Sequence, residues 1–168
     1  MRGLLALSVG MLVAGALPAH AWMTFVARDV ATGERLGRGA IQSNDDEDEQ
    51  LAIICTPDGV TATFVPGLML TSDMALKDFR GTLLVAADGG PYEPFVVTPE
   101  RFARSDAAEL RLRLGKVEAM ELAELVLEAQ SALAVSFQVR GEELVHVDYD
   151  NDSAPITIGS VLGECEGR

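Results

Sequence analysis

The sequence predicts a mainly β, α+β domain: an antiparallel sheet or β-sandwich-like body with one packed amphipathic helix and one disulfide. Three observations point there. Short runs with a period of two recur along the chain and are separated by Asp/Gly/Pro turns. A single stretch, Lys116 to Gln130, carries the helical period instead. Two cysteines, Cys55 and Cys165, lie far apart in a chain that opens with an export signal.

The first 21 residues read MRGLLALSVGMLVAGALPAHA: one early positive charge at Arg2, an apolar run from Gly3 to Leu17, a breaker at Pro18, then Ala19-His20-Ala21. This order of charge, apolar stretch and small-x-small site marks a cleavable secretory leader. Cleavage is expected after Ala21, leaving one domain over residues 22–168. Its 147 residues suffice to bury roughly 68 to 70% of the unfolded surface. No later run approaches the length of a membrane helix, and no cysteine stands at the cleavage point to take a lipid. The expected product is a soluble periplasmic or secreted protein.

Without Arg2 the chain has 12 basic against 26 acidic side chains, a formal charge of −14 with histidine neutral. Such a body repels phosphate backbones and anionic headgroups, which argues against a nucleic-acid partner. An even cysteine count in an oxidising compartment reads as one disulfide, tying the C-terminus to the middle of the sheet. There is no C-x-x-C and no neighbouring histidine to support a reactive thiol.

Along the chain, Trp22 to Val30 reads as a first strand, closed by a turn at 31–34. A second extended piece spans Leu36 to Ser43, weakened by Gly37 and Gly39. Asp45 to Glu49 are five successive carboxylates, read as a solvated loop or, alternatively, a calcium or basic-partner patch. Gln50 to Thr56 and Val60 to Val65 flank Pro57-Asp58-Gly59 and form a hairpin. Asp73 to Phe79 suits a helical turn. Arg80 to Ala87 and Tyr92 to Thr98 flank Asp88-Gly89-Gly90-Pro91 as a second hairpin, in which Pro94 predicts an edge or a bulge.

Ala107 to Leu114 alternates, with Leu110, Leu112 and Leu114 on one face and Arg111 and Arg113 on the other. On the following helix, Ala119, Met120, Leu122, Ala123, Val126 and Leu127 share about half the circumference, while Glu118, Glu121, Glu124 and Glu128 take the other side. Ala132 to Arg140 places Leu133, Val135, Phe137 and Val139 inward. A turn at Gly141-Glu142 leads to Leu144 to Tyr149, with Val145, Val147 and Tyr149 opposite His146, Asp148 and Asp150. Pro155 to Cys165 reads equally as a strand from its β-branched start or as a short helix ending at the cysteine.

With Trp22 at the mature start, Leu51-Ala52-Ile53-Ile54-Cys55 on a strand, a late helix followed by an alternating strand, and a cysteine close to the C-terminus, the layout resembles the small two-cysteine periplasmic proteins of Gram-negative bacteria. These include the accessory family associated with type VI secretion. The resemblance implies a structural Cys55–Cys165 bridge, a β-sandwich-like fold and a non-catalytic role in envelope assembly.

One histidine, His146, remains after the leader, so a multi-histidine zinc site is ruled out, and any Ser-His-Asp or Cys-His site would be built around it, with Asp148 or Asp150 as partner. No G-x-S-x-G, phosphate loop or H-E-x-x-H occurs. Asp148, Asp150 and Asp152 match positions one, three and five of a calcium loop, whereas Ser153 and Gly159 stand where that loop needs Gly and Glu. In an extended strand Asp148 and Asp150 would be roughly 6.6 Å apart, so a shared cation requires the chain to curl. Asn151-Asp152-Ser153 also matches the N-x-S sequon, relevant only in a host that glycosylates exported chains. The leading expectation is a non-enzymatic binding or assembly module acting on another envelope protein; the alternatives are a calcium-stabilised module and an enzyme using His146.

Overall fold

The computed structural model describes residues 21–28, 32–44, 48–103 and 107–166. Residues 1–20, most of the expected leader, and Asp45 to Glu47 of the acidic run lie outside them. The strands are β1 (Met23–Arg28), β2 (Arg35–Ser43), β3 (Glu49–Thr56), β4 (Gly59–Pro66), β5 (Met69–Leu70), β6 (Thr82–Ala87), β7 (Glu93–Ala103), β8 (Ala108–Leu114), β9 (Ala132–Val139) and β10 (Glu142–Asp150). Two helices, α1 (Lys116–Glu128) and α2 (Ala154–Glu166), and a 3-10 turn at Leu76–Phe79 complete the described elements.

The strands make one sheet in the order β1-β2-β3-β4-β8-β7-β6-β9-β10, with the short β5 added on β8. All the pairings are antiparallel. Hydrogen bonding thus joins the strands into one continuous sheet, and the helices cover part of its buried face. Cross-strand pairs set the buried face: Leu51 lies opposite Phe64, Ile53 opposite Ala62 and Cys55 opposite Val60. All six are buried, and they continue through Leu110, Leu112, Leu83, Val85, Leu133, Val135 and Phe137 into one core. Because side chains alternate along a strand, each register pins the apolar set to that face.

α1 and α2 pack on this face and on each other, α1 over β4 and α2 over β2 and β3. From α1, Ala119, Leu122, Ala123 and Val126 enter the core. Met120, expected inward, is 38% exposed, because the small Ala119 and Ala123 let that side of the helix settle against the sheet. Of the two readings of residues 155–165, helix is what forms. Ile158 and Val161 are buried, and Cys165 is joined to Cys55 across 110 residues of chain. The β-branched start is overridden because a helix can bury Ala154, Ile158 and Val161 on one side while bringing Cys165 over β3.

β7 is longer than expected and lies inside the sheet despite Pro94 and Pro99. Its first part, Glu93 to Val96, pairs with β6, whereas Val97 to Ala103 pair with β8. Each proline thus has a neighbour on one side only, which a residue without an N–H tolerates. Gly37 and Gly39 are close-approach positions rather than weak points. A Cβ on Gly37 would lie 1.8 Å from the Cys55 carbonyl oxygen, and one on Gly39 would lie 2.4 Å from the Phe25 ring.

Candidate functional site

The sheet curls until its two outermost strands meet at one end. There Trp22, immediately before β1, donates its backbone N–H to Ser153 Oγ at 2.8 Å and its indole N–H to Asn151 Oδ1 at 2.9 Å. Gln42 Nε2 of β2 donates to the Asp150 carbonyl at 3.1 Å, and the Thr157 hydroxyl donates to the Trp22 carbonyl at 3.4 Å. Asn151 is fully buried, and its amide nitrogen donates to the carbonyls of Val126 and Ala129 at 2.8 and 3.0 Å. Val126 is in the last turn of α1 and Ala129 is the residue that caps it, so neither carbonyl has an intrahelical partner. One side chain therefore ties β1, the end of β10 and the end of α1 together. A buried, fully bonded amide is unavailable to a sugar, so the N-x-S match has no structural counterpart.

His146, Asp148 and Asp150 occupy the outward positions of β10, as their alternation requires. His146 Nδ1 is 3.5 Å from Glu143 Oε2, and its Nε2 is 3.5 Å from Asp148 Oδ1, so the ring is flanked by two carboxylates. Glu143 also accepts a 2.6 Å hydrogen bond from the Ser136 hydroxyl. That bond, helped by His146, holds the Glu143 carboxyl below its ordinary pKa. Ser136 lies directly across from His146 on β9. Glu143, His146 and Asp148 are exposed and Ser136 is buried; the described pocket at the start of β10, about 330 Å³, is lined by Asp78, Val139, Arg140, Glu142 and Leu144, and His146 is not among them.

The three aspartates weighed as a calcium set are not brought together. Asp148 stands beside His146, and an Asp150 carboxylate oxygen accepts the Asp152 N–H at 3.1 Å, forming the turn that ends β10. Among the described residues no group of three or more His, Cys, Asp or Glu side chains is arranged to hold a metal ion.

Two further polar features were not legible as pairs in the sequence. The Asp88 carboxylate, in the β6–β7 turn, accepts the N–H groups of Gln130, Ser131 and Ala132 and the Ser131 hydroxyl at 2.7 to 3.0 Å. These bonds, the Gln130 N–H first, pull its pKa down to about 2. On the outer face of β7 and β8, Arg111 stacks 3.3 Å over the Phe102 ring and pairs with Glu109 at 3.2 Å, while Arg113 pairs with Glu100 at 3.3 Å.

Fold and seam together define a disulfide-stapled α+β protein built on one curled antiparallel sheet. No protein-family model, curated protein or solved structure matches the chain. No helix among the described residues is long and apolar enough to cross a membrane.

Proposed function

We propose that this chain is an exported, non-enzymatic binding or assembly module that acts on another envelope protein in the bacterial periplasm, a role like that of the two-cysteine accessory proteins it resembles. The observation that carries the reading is a stapled, single-core body whose sheet ends in two strands with one neighbour each: β1 pairs only with β2, and β10 only with β9, among the described residues. Unpaired strand edges are surfaces on which proteins recognise one another through backbone hydrogen bonds. The leader and the disulfide agree with an oxidising destination, and the −14 mature charge disfavours nucleic acid as partner.

The His146 row does not lend equal support to catalysis, because the exposed imidazole and its flanking carboxylates lie outside the described pocket, while Ser136 across from them is buried. Mild crosslinking of the protein in intact cells, followed by purification from the envelope fraction, tests the proposal. A reproducible crosslinked species containing one other envelope protein is the expected result; recovery of the uncrosslinked chain alone would overturn it.

A further inference from the structure

The two outermost strands are defended to very different degrees. β10 has a register shift between Glu143 and Val145 and exposes Glu142, Glu143, His146, Asp148 and Asp150. β1 runs Met23-Thr24-Phe25-Val26-Ala27 with no charge and no proline before its own register shift at Arg28. Bulges, charges and prolines are the usual means by which a sheet refuses an extra strand. β1 lacks all of them over five residues.

β1 also offers side-chain ledges on both faces. Thr24 pairs with the buried Ala40, so Thr24 and Val26 share the core-side face, and Val26, opposite Arg38 of β2, is 47% exposed there. Met23, on the opposite face, is also 47% exposed. An added strand would cover apolar surface above and below and pair along the side of β1 that no other described strand occupies.

Charge selects the occupant. The mature chain at −14 repels a second copy of itself and any acidic segment. Beside Trp22, where β1 begins, the exposed Asp150 and Asp152 flank the seam; at the far end stands Arg28. Resting on the binding-module reading, we propose that the β1 edge takes up, by strand addition, an extended segment of a partner protein that is β-branched or apolar at alternate positions and carries Lys or Arg at the end lying beside Trp22.

Labelled eight-residue synthetic peptides of alternating Val and Thr, ending either in Arg-Arg or in Glu-Glu, are titrated with the purified protein and followed by fluorescence anisotropy. The Arg-ended peptide is expected to bind at least tenfold more tightly than the Glu-ended one. Val26→Lys should weaken it at least tenfold, and Leu144→Lys on β10 should leave it unchanged. Thr24→Lys serves as a second edge variant, each variant being accepted only if it melts cooperatively. Equal binding of the two peptides, or binding indifferent to both β1 variants, overturns the inference. So does a dimer in sedimentation that Val26→Lys dissolves, which would give the edge to a second copy. A photocrosslinker at Met23 or Leu144 in cells separates the two levels of the argument. Partner crosslinks from Leu144 alone sink the β1 assignment and leave the module reading standing, whereas none from either position sinks both.

Discussion

The indole N–H of Trp22 and the side-chain oxygen of Asn151 meet at 2.9 Å across 129 residues of chain, and both residues are buried. This bond joins the beginning of the first strand to the residue after the last. Asn151→Ala removes it together with the two bonds to Val126 and Ala129, leaving an indole N–H and two helix carbonyls buried without partners. At about 1–3 kcal/mol for an unsatisfied buried group, with partial relaxation, the expected loss is about 2–4 kcal/mol, read as a lower urea midpoint. Asn151→Asp keeps the acceptor for Trp22 but sets a carboxylate against two carbonyls. Its stability should therefore rise as the solution is acidified from neutrality. Trp22 is the single tryptophan, so its emission should be blue-shifted in the native state and report the transition directly.

Asp88 predicts a specific acid limb. Its pKa is about 2 in the folded protein against an ordinary 3.8, so its contribution is complete above about 4, declines as pH falls through that window, and is gone below about 2. Asp73, lowered by the Thr71 hydroxyl, and Glu143, lowered by the Ser136 hydroxyl, act in the same direction. Asp88→Asn has one acceptor oxygen where the carboxylate has two. Melting temperatures measured from pH 2 to 7 should show a lower plateau for the variant and a shallower fall below pH 4; superimposable curves would refute the role assigned to Asp88.

Reduction of Cys55–Cys165 should be costly. In the chain-entropy model a crosslink closing a loop of this order contributes about 4–5 kcal/mol, because the unfolded chain regains the freedom that the bond removes. Urea unfolding with and without reductant measures it directly. Since Cys165 also holds the end of α2 over β3, the reduced protein should show its earliest amide-exchange losses in α2.

Tyr149 should gain from losing its hydroxyl. The side chain is buried on the core face of β10, and among the described residues its oxygen has no hydrogen-bond partner. Burial, with the Glu49 charge adding to it, pushes its pKa well above the ordinary phenol range. Tyr149→Phe keeps the ring and removes a desolvated polar atom, so we expect stability unchanged or raised by about 1 kcal/mol. A loss above that size would reveal a partner for the hydroxyl.

Period-two patterns located the long strands because burial on one sheet face demands alternation: Leu110, Leu112 and Leu114 and Leu133, Val135 and Phe137 are all buried, although Glu109 and Ser136 between the apolar positions are buried as well. The hairpin at Asp58-Gly59 was legible for a local reason: Gly59 has a φ of 115°, which few other residues accept. β5 is only two residues long and carries too little pattern to be seen. Gly37 and Gly39 read as weakness because nothing local shows that a carbonyl and an aromatic ring lie against them. Asn151 was hidden inside a string of acidic and polar residues that looked like solvent-facing turn. Its burial depends on Trp22 and α1, both far away in sequence.

By itself, then, the sequence determined what neighbours along the chain decide: where strands alternate, where turns fall and that Lys116 onward is a helix; its two cysteines, expected to pair, do so. Tertiary structure decided what distant segments share. It chose helix over strand for Ala154–Glu166, because only a helix there buries Ile158 and Val161 while carrying Cys165 to Cys55. It also curled one sheet until Trp22 reached Asn151, leaving β1 and β10 as outer strands of unequal character. Register and closure are properties of long-range pairing, whose free energy resides in contacts that no local window contains.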